Sequence, residues 1–200
     1  VGTYSISNVS GVTISYQAGA NASSGALAAN YTLTGGTHSF AINPKAVNIT
    51  GTRQYNGTTN IPSSDISGIT GTVNTETLTM SSGLGSTSSA NVGTYNLTDT
   101  SAGTLALGNG SNGGLASNYT LTGGTQDYTI TQRVLNSSGS KTYNANTNAL
   151  AADITLSNLV SGEALNHSGT ATIGSPNAAS YTISNLSGIT IADGSGGAAS

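Results

Sequence analysis

Four Lys or Arg, seven Asp or Glu and two His are the whole stock of acid, base and ligand chemistry in this sequence. Cysteine is absent, which excludes thiolate nucleophiles, disulfides and cysteine-held metals. The charged residues are spaced with a period. Asp65 and Asp153 stand 88 residues apart, as do Arg53 and Lys141, and Lys45 and Arg133; Glu76 and Glu163 follow one residue out of register. The histidines break the period. His38 falls on Gln126 one period later, and His167 falls opposite Thr79 or Met80 one period earlier. A site used by every repeat recurs in register. A triad or a zinc site also needs carboxylates or further ligands beside the imidazole. Isolated histidines supply neither, so no catalytic residue, cofactor-binding residue or metal ligand is assigned.

Charges that persist in a nearly uncharged chain need a reason. A specific ion pair at a repeat junction is one, and edge charges that block strand-to-strand aggregation are another. A sharper reading is an isopeptide bond from Lys45 or Lys141 to an Asn, with Glu76 or Glu163 as the assisting acid. Each Lys is an Arg in its other copy, and Arg cannot form that bond, which argues against it. Calcium needs several converging oxygens. The acids here are dispersed with no Asp-x-Asp-x-Asp run, and no cofactor of any kind is expected. Asn-x-Ser/Thr triplets, from Asn8 to Asn185, read as products of an Asn-, Ser- and Thr-rich composition.

Composition narrows the partners. Only 6% of residues are charged, against about 25% in an ordinary soluble domain. Without a basic patch, nucleic acid and anionic membrane surfaces are excluded as partners. No apolar run approaches the roughly 20 residues of a membrane helix, so this segment inserts into no membrane.

The elements that hold these residues are read from the same period. Tyr31 and Tyr119, Ile42 and Ile130, Gly51 and Gly139, and Tyr55 and Tyr143 are each 88 apart without a gap. Alternation such as Val47-Asn-Ile49, Leu78-Thr-Met80, Tyr95-Asn-Leu97, Tyr128-Thr-Ile130 and Ile189-Thr-Ile191 predicts strands with one apolar face. Tyr4-Ser-Ile6, Tyr31-Thr-Leu33 and Tyr181-Thr-Ile183 are read in the same way. Asn56-Gly57, Gly123-Gly124 and Asn112-Gly113-Gly114 supply turns. Only Ser24–Ala29 offers helix formers, enough for one turn at most. The expected fold is all-β: tandem elongated β-sandwich-like or β-grasp-like modules of about 88 residues, with little or no helix. The expected division is 1–43, the C-terminal part of a first module; 44–131, a complete module; and 132–200, the N-terminal part of a third. Pro44 and Lys45, and Gln132 and Arg133, mark the module junctions. The chain begins at Val1 without Met in mid-repeat and reads as an internal piece of a longer protein. Tyr31, Tyr95, Tyr119 and Tyr181, beside Leu or Ile on alternating positions, are expected in the core, and Tyr55 and Tyr143 half exposed beside turns.

The order of motifs is similar to the YDG/MBG-type repeats of large bacterial surface proteins, including filamentous-haemagglutinin-like adhesins. Pro44-Lys45-Ala46-Val47 opens the unit. A repeated turn motif follows, Tyr55-Asn56-Gly57 in one copy and Tyr143-Asn144 in the next, where Ala145 replaces Gly. Thr75-Glu76-Thr77-Leu78 and Gly162-Glu163-Ala164-Leu165 match the next step, then Asn91-Val92-Gly93 and the closing Asn118-Tyr119-Thr120-Leu121. Asn stands at 56 and 144 where the family pattern has Asp, which leaves a tight turn intact and removes a carboxylate. The resemblance implies an exported, repetitive surface protein and no activity.

The expected function is therefore structural, not enzymatic. The chain reads as a stalk or fibre segment of a secreted bacterial surface protein or extracellular filament, supporting adhesion or cell–cell and matrix contact at the bacterial cell surface. Its partners are neighbouring repeat modules or identical chains in a fibre, with surface glycans as a further class. The rival reading is a carbohydrate- or receptor-binding adhesin module, which calls for exposed aromatics clustered with acids in one module only.

Overall fold

Thr, Tyr, Val and Ile at alternate positions, interrupted by Gly and Asn, favour extended segments that bury one face and wet the other. The computed structural model describes residues 1–14, 28–97 and 102–196, and its backbone there is strands joined by turns. The helical pieces among them are three-residue 3-10 turns: Ala28–Asn30, Ser63–Asp65, Ala116–Asn118 and Ala151–Asp153. Of the Ser24–Ala29 stretch only Ala28 and Ala29 are described, in the first of these turns; the rest lies outside the described residues.

The strand Asn48–Gln54 runs parallel to Gln126–Thr131, with Ile49 opposite Gln126 and Arg53 opposite Ile130. Ile66–Thr70 flanks this pair on one side and Gly93–Asn96 on the other, both antiparallel. Parallel neighbours cannot be joined by a tight hairpin, so everything from 55 to 125 is the crossover between them. Lys45–Ala46 and Tyr119–Thr120 continue the parallel pairing as a separate short pair. The crossover itself folds into ribbons, Asn60–Pro62 with Leu84–Ser86 and Leu78–Ser82 with Ala106–Asn109. Among the described residues the fold is all-β with no closed barrel. Its four-stranded sheet is mixed, with the parallel pair at the centre.

Alternation decides what goes inside. Gln126, Tyr128 and Ile130 face inward from one strand, and Ile49 and Gly51 from its neighbour. Ile61, Leu97, Tyr128 and Ile130 form one apolar cluster; Val47, Leu78 and Tyr119 form a second. A third lies further along, built from Ala149, Ile154 and Ala171.

The pairings repeat with the sequence. Gly139 sits opposite Ile154 as Gly51 sits opposite Ile66. Asn148–Leu150 pairs with Ala164–Ile173 as Asn60–Pro62 pairs with Leu84–Ser86. Near the start, Gly2–Ser5 pairs with Ser39–Ile42 as Gly93–Asn96 pairs with Gln126–Thr131. What differs is cover. Tyr119, Tyr128 and Ile130 are 6%, 0% and 1% exposed, whereas their counterparts Tyr31, Phe40 and Ile42 are 65%, 64% and 50% exposed. Val47, Ile61 and Leu78 pack over the former set. Among the described residues nothing covers Tyr31, Phe40 and Ile42 to the same degree. The expectation of four core tyrosines is corrected accordingly. Tyr119 is buried and Tyr95 packs on the core, but Tyr31 is exposed and Tyr181 is 37% exposed. Likewise Tyr31-Thr-Leu33 forms no strand, and among the described residues no strand pairs with it as Lys45–Ala46 pairs with Tyr119–Thr120.

Candidate functional site

The four cations do one job twice. Arg53 donates to the backbone oxygens of Thr58 and Asn60. Its counterpart Lys141 donates to the backbone oxygens of Asn146 at 2.8 Å and Asn148 at 2.5 Å. Lys45 donates to the carbonyl of Gly71, and Arg133 to that of Asn158 at 2.5 Å and to its side-chain oxygen at 2.8 Å. Among the described residues these cations therefore serve backbone carbonyls at turns, and the expected junction ion pair is not formed. A carbonyl accepts from ammonium and guanidinium alike, which explains why Lys and Arg exchange between copies. Glu76 and Glu163 accept from tyrosines, and Lys141 also donates to the side-chain oxygens of Asn144 at 3.1 Å and Asn146 at 2.8 Å. Pro44 and Gln132 lie exposed in the links.

The histidines are backbone donors too. His38 Nε2 lies 2.8 Å from the carbonyl of Leu33, and Gln126 Nε2, one period later, lies 2.7 Å from that of Leu121. Gln126 is fully buried, and its side-chain oxygen accepts from the Ile49 amide at 3.1 Å. His167 Nε2 stands 3.0 Å from both Ala151 and Ile154 carbonyls. Each imidazole thus satisfies backbone carbonyls at turns or element ends. Among the described residues no three His, Asp or Glu side chains gather as a metal-holding group.

Three of the acids, Asp65, Glu76 and Glu163, meet tyrosines. Tyr128 donates to Asp65 at 2.9 Å from beneath Arg53, whose guanidinium carbon lies 5.8 Å from the ring centre. Burial first, and then the Asp65 bond, push the Tyr128 hydroxyl well above the ordinary tyrosine value. Tyr119 donates to Glu76 and accepts from the Val73 amide at 3.0 Å. The Glu76 bond is the main cause that raises the Tyr119 pKa.

The remaining pair crosses between repeats. Tyr55 donates to Glu163, 108 residues along the chain. Beside it, a Cβ placed on Gly57 would stand 3.0 Å from Val160 Cγ1. The motif turn is prepared for this contact. Asn56 accepts from the Thr58 amide at 3.1 Å, closing an Asx turn, and Gly57 has φ +75°. Asn144 repeats the bond to the Asn146 amide at 3.4 Å. An amide oxygen is sufficient here, so the absence of Asp costs nothing. The receiving residues, Val160 to Glu163, are themselves a turn, closed by Glu163 N–H to Val160 O at 3.1 Å.

The site is thus a latch: Tyr55, Asn56 and Gly57 on one repeat, with Val160 and Glu163 on the next. Both Tyr55 and the recurring Glu were singled out in the sequence. Their pairing was not, because spacing within a repeat carries no signal about which neighbour a turn touches. Tyr143 and Asn144, in the equivalent turn, are exposed, Tyr143 by 62%.

Residues 41–131, just under half of the chain, match the YDG domain family. No curated protein and no solved structure matches the chain. The matched span runs from the strand Ser39–Ile42 to the end of Gln126–Thr131 and holds the whole mixed sheet with the parallel pair at its centre. A YDG-type module is therefore present.

Proposed function

We propose that the chain is a load-bearing stalk or fibre segment of a secreted bacterial surface protein or extracellular filament, supporting adhesion or cell–cell and matrix contact. The Tyr55–Glu163 latch carries this reading. It spends a buried-side carboxylate and an aromatic hydroxyl on fixing one repeat against the next, where a binding module would present them to a ligand. Repetition then gives length, and the latch gives direction. The scarcity of Lys and Arg leaves few sites for trypsin-like proteases, which suits an extracellular setting. The resemblance to bacterial surface repeats supports the same setting.

Small-angle scattering tests the mechanical part. The chain should scatter as one rigid extended body. Tyr55→Phe combined with Glu163→Ala should broaden the distance distribution while strand content stays unchanged. Identical scattering from both would remove the latch from the explanation. On intact cells of the source, an antibody against the chain should label the outside; labelling only after lysis would end the surface reading.

A further inference from the structure

Asn56-Gly57, Asn109-Gly110 and Asn112-Gly113 each set a side-chain amide beside the backbone nitrogen of a residue without a Cβ. Ring closure between the two groups is sterically open at such a step. The structure separates the three. At Asn109 the nitrogen is taken, because Gly110 N–H donates to the Gly114 carbonyl at 2.9 Å. At Asn112 the side-chain amide is taken: Nδ2 donates to the Thr75 carbonyl at 2.9 Å, and a carboxylate in its place would face that carbonyl without a proton between them. At Asn56 both groups are open. Among the described residues no hydrogen bond engages Gly57 N–H or Asn56 Nδ2, and Asn56 is exposed to water. Its Oδ1 instead accepts twice from Thr58, from the amide and from the hydroxyl, each at 3.1 Å. Thr58 Oγ1 lies in turn 3.4 Å from Arg53 Nη1. The Asx turn closes from Asn56 Oδ1 to Thr58 N, which folds the side chain back over the Gly57 nitrogen.

We propose that Asn56 is a self-modifying site, where the turn hydrolyses its own side-chain amide with water as co-reactant. Gly57 N attacks Asn56 Cγ and gives up its proton to water. Negative charge gathers on Oδ1, where the two Thr58 donors already point, backed by Arg53. The Cγ–Nδ2 bond then breaks, Nδ2 takes a proton from water and leaves as ammonia, and a cyclic succinimide remains. Water next opens the ring. Cleavage between Cγ and the Gly57 nitrogen gives aspartate; cleavage between that nitrogen and the Asn56 carbonyl carbon gives isoaspartate, with a lengthened backbone. Aspartate keeps both Thr58 bonds, since they are made to oxygen, and the turn takes nothing from the lost nitrogen. Location gives the reaction a consequence. A Cβ on Gly57 would lie 3.0 Å from Val160 Cγ1 and 3.9 Å from Glu163 Oε1. The new carboxylate thus arises near Glu163, and its appearance marks the age of the contact between successive repeats.

The test follows heavy oxygen into the chain. The whole folded protein is incubated at mildly alkaline pH in heavy-oxygen water, digested, and its peptides weighed. Asn56 should take up label about tenfold faster than Asn109 or Asn112, an advantage within reach of oriented donors at a developing oxyanion. Thr58→Val removes the hydroxyl donor and keeps the side-chain shape. It should slow Asn56 by about tenfold, less than the roughly 10²–10³ lost with a donor in a water-excluded oxyanion hole. Circular dichroism checks that the variant keeps its strands. In urea the three sites should label at similar rates, because each is then a bare Asn-Gly step. Equal labelling of the three sites in the folded chain overturns the inference, as does a folded Thr58→Val chain that labels Asn56 at the original rate. The same preference for Asn56 in urea overturns it too, since the fold would then have no part in the choice.

Discussion

At the scale of single residues, the repeat works by substitution of equivalents. Arg53 and Lys141 hold the same pair of turn carbonyls, and His38 and Gln126 bind equivalent leucine carbonyls one period apart. Arg53→Lys keeps a cationic donor for these carbonyls but loses the guanidinium plane over Tyr128, so it should destabilise less than Arg53→Ala does. It also removes Arg53 Nε, which is buried without a partner. Arg53→Ala leaves the carbonyls of Thr58 and Asn60 without their donor and exposes Tyr128. It should cost about 1–3 kcal/mol, measured as a shift of the urea midpoint. The tyrosines give a pH dependence. Tyr119 and Tyr128 have folded pKa values above the unfolded value of 10.0. Raised values favour the protonated hydroxyl in the fold, so their contribution is complete below about pH 10 and is lost as pH rises through the folded values. Tyrosinate absorbance should show late-titrating groups that coincide with alkaline unfolding; Tyr128→Phe should reduce the amplitude of that late step and leave the share of Tyr119.

At the scale of elements, close backbone approach matters more than strand propensity. Gly51 sits where Asn48–Gln54 shifts register against Ile66–Thr70. A Cβ there would meet the Asp65 carbonyl oxygen at 2.6 Å and the Tyr128 ring at 2.8 Å. At Gly139, one period on, a Cβ would meet the Asp153 carbonyl oxygen at 2.0 Å. Neither backbone can retreat without breaking the ladder. Gly51→Ala should destabilise by about 1–3 kcal/mol through overpacking, seen as a lower Tm with unchanged strand content. The recurrence of glycine at 51 and 139 was visible in the sequence, but its cause was not. A turn glycine and a glycine under a crossing carbonyl look alike until the partner strand is in place.

At the scale of the molecule, stability is divided among separate cores. Ile61, Leu97, Tyr128 and Ile130 belong to one cluster, and Ala149, Ile154 and Ala171 to another. In a linear array each repeat stands on its own interior plus its neighbour contacts. Ile61→Ala should cost about 2–5 kcal/mol within residues 44–131. Hydrogen exchange should accelerate there while amides of 148–150 and 154–157 keep most of their protection. Uniform acceleration would show that the cores are one cooperative unit.

The sequence by itself determined the period, the all-β class, the turn positions and the residues that recur, because those follow from local alternation and from glycine and asparagine chemistry. It also placed Tyr55, Tyr143, Glu76 and Glu163 on the short set of residues to explain. Only the tertiary structure decided which strands are neighbours, and that Asn48–Gln54 lies parallel to Gln126–Thr131 across a long crossover. It also decided that Tyr119 is covered while Tyr31 is bare, and that Tyr55 reaches Glu163 rather than a carboxylate of its own repeat. Alternation tells which face of a strand is apolar. It is silent about what covers that face, since cover comes from residues far along the chain whose pairing is set by the energy of the whole fold.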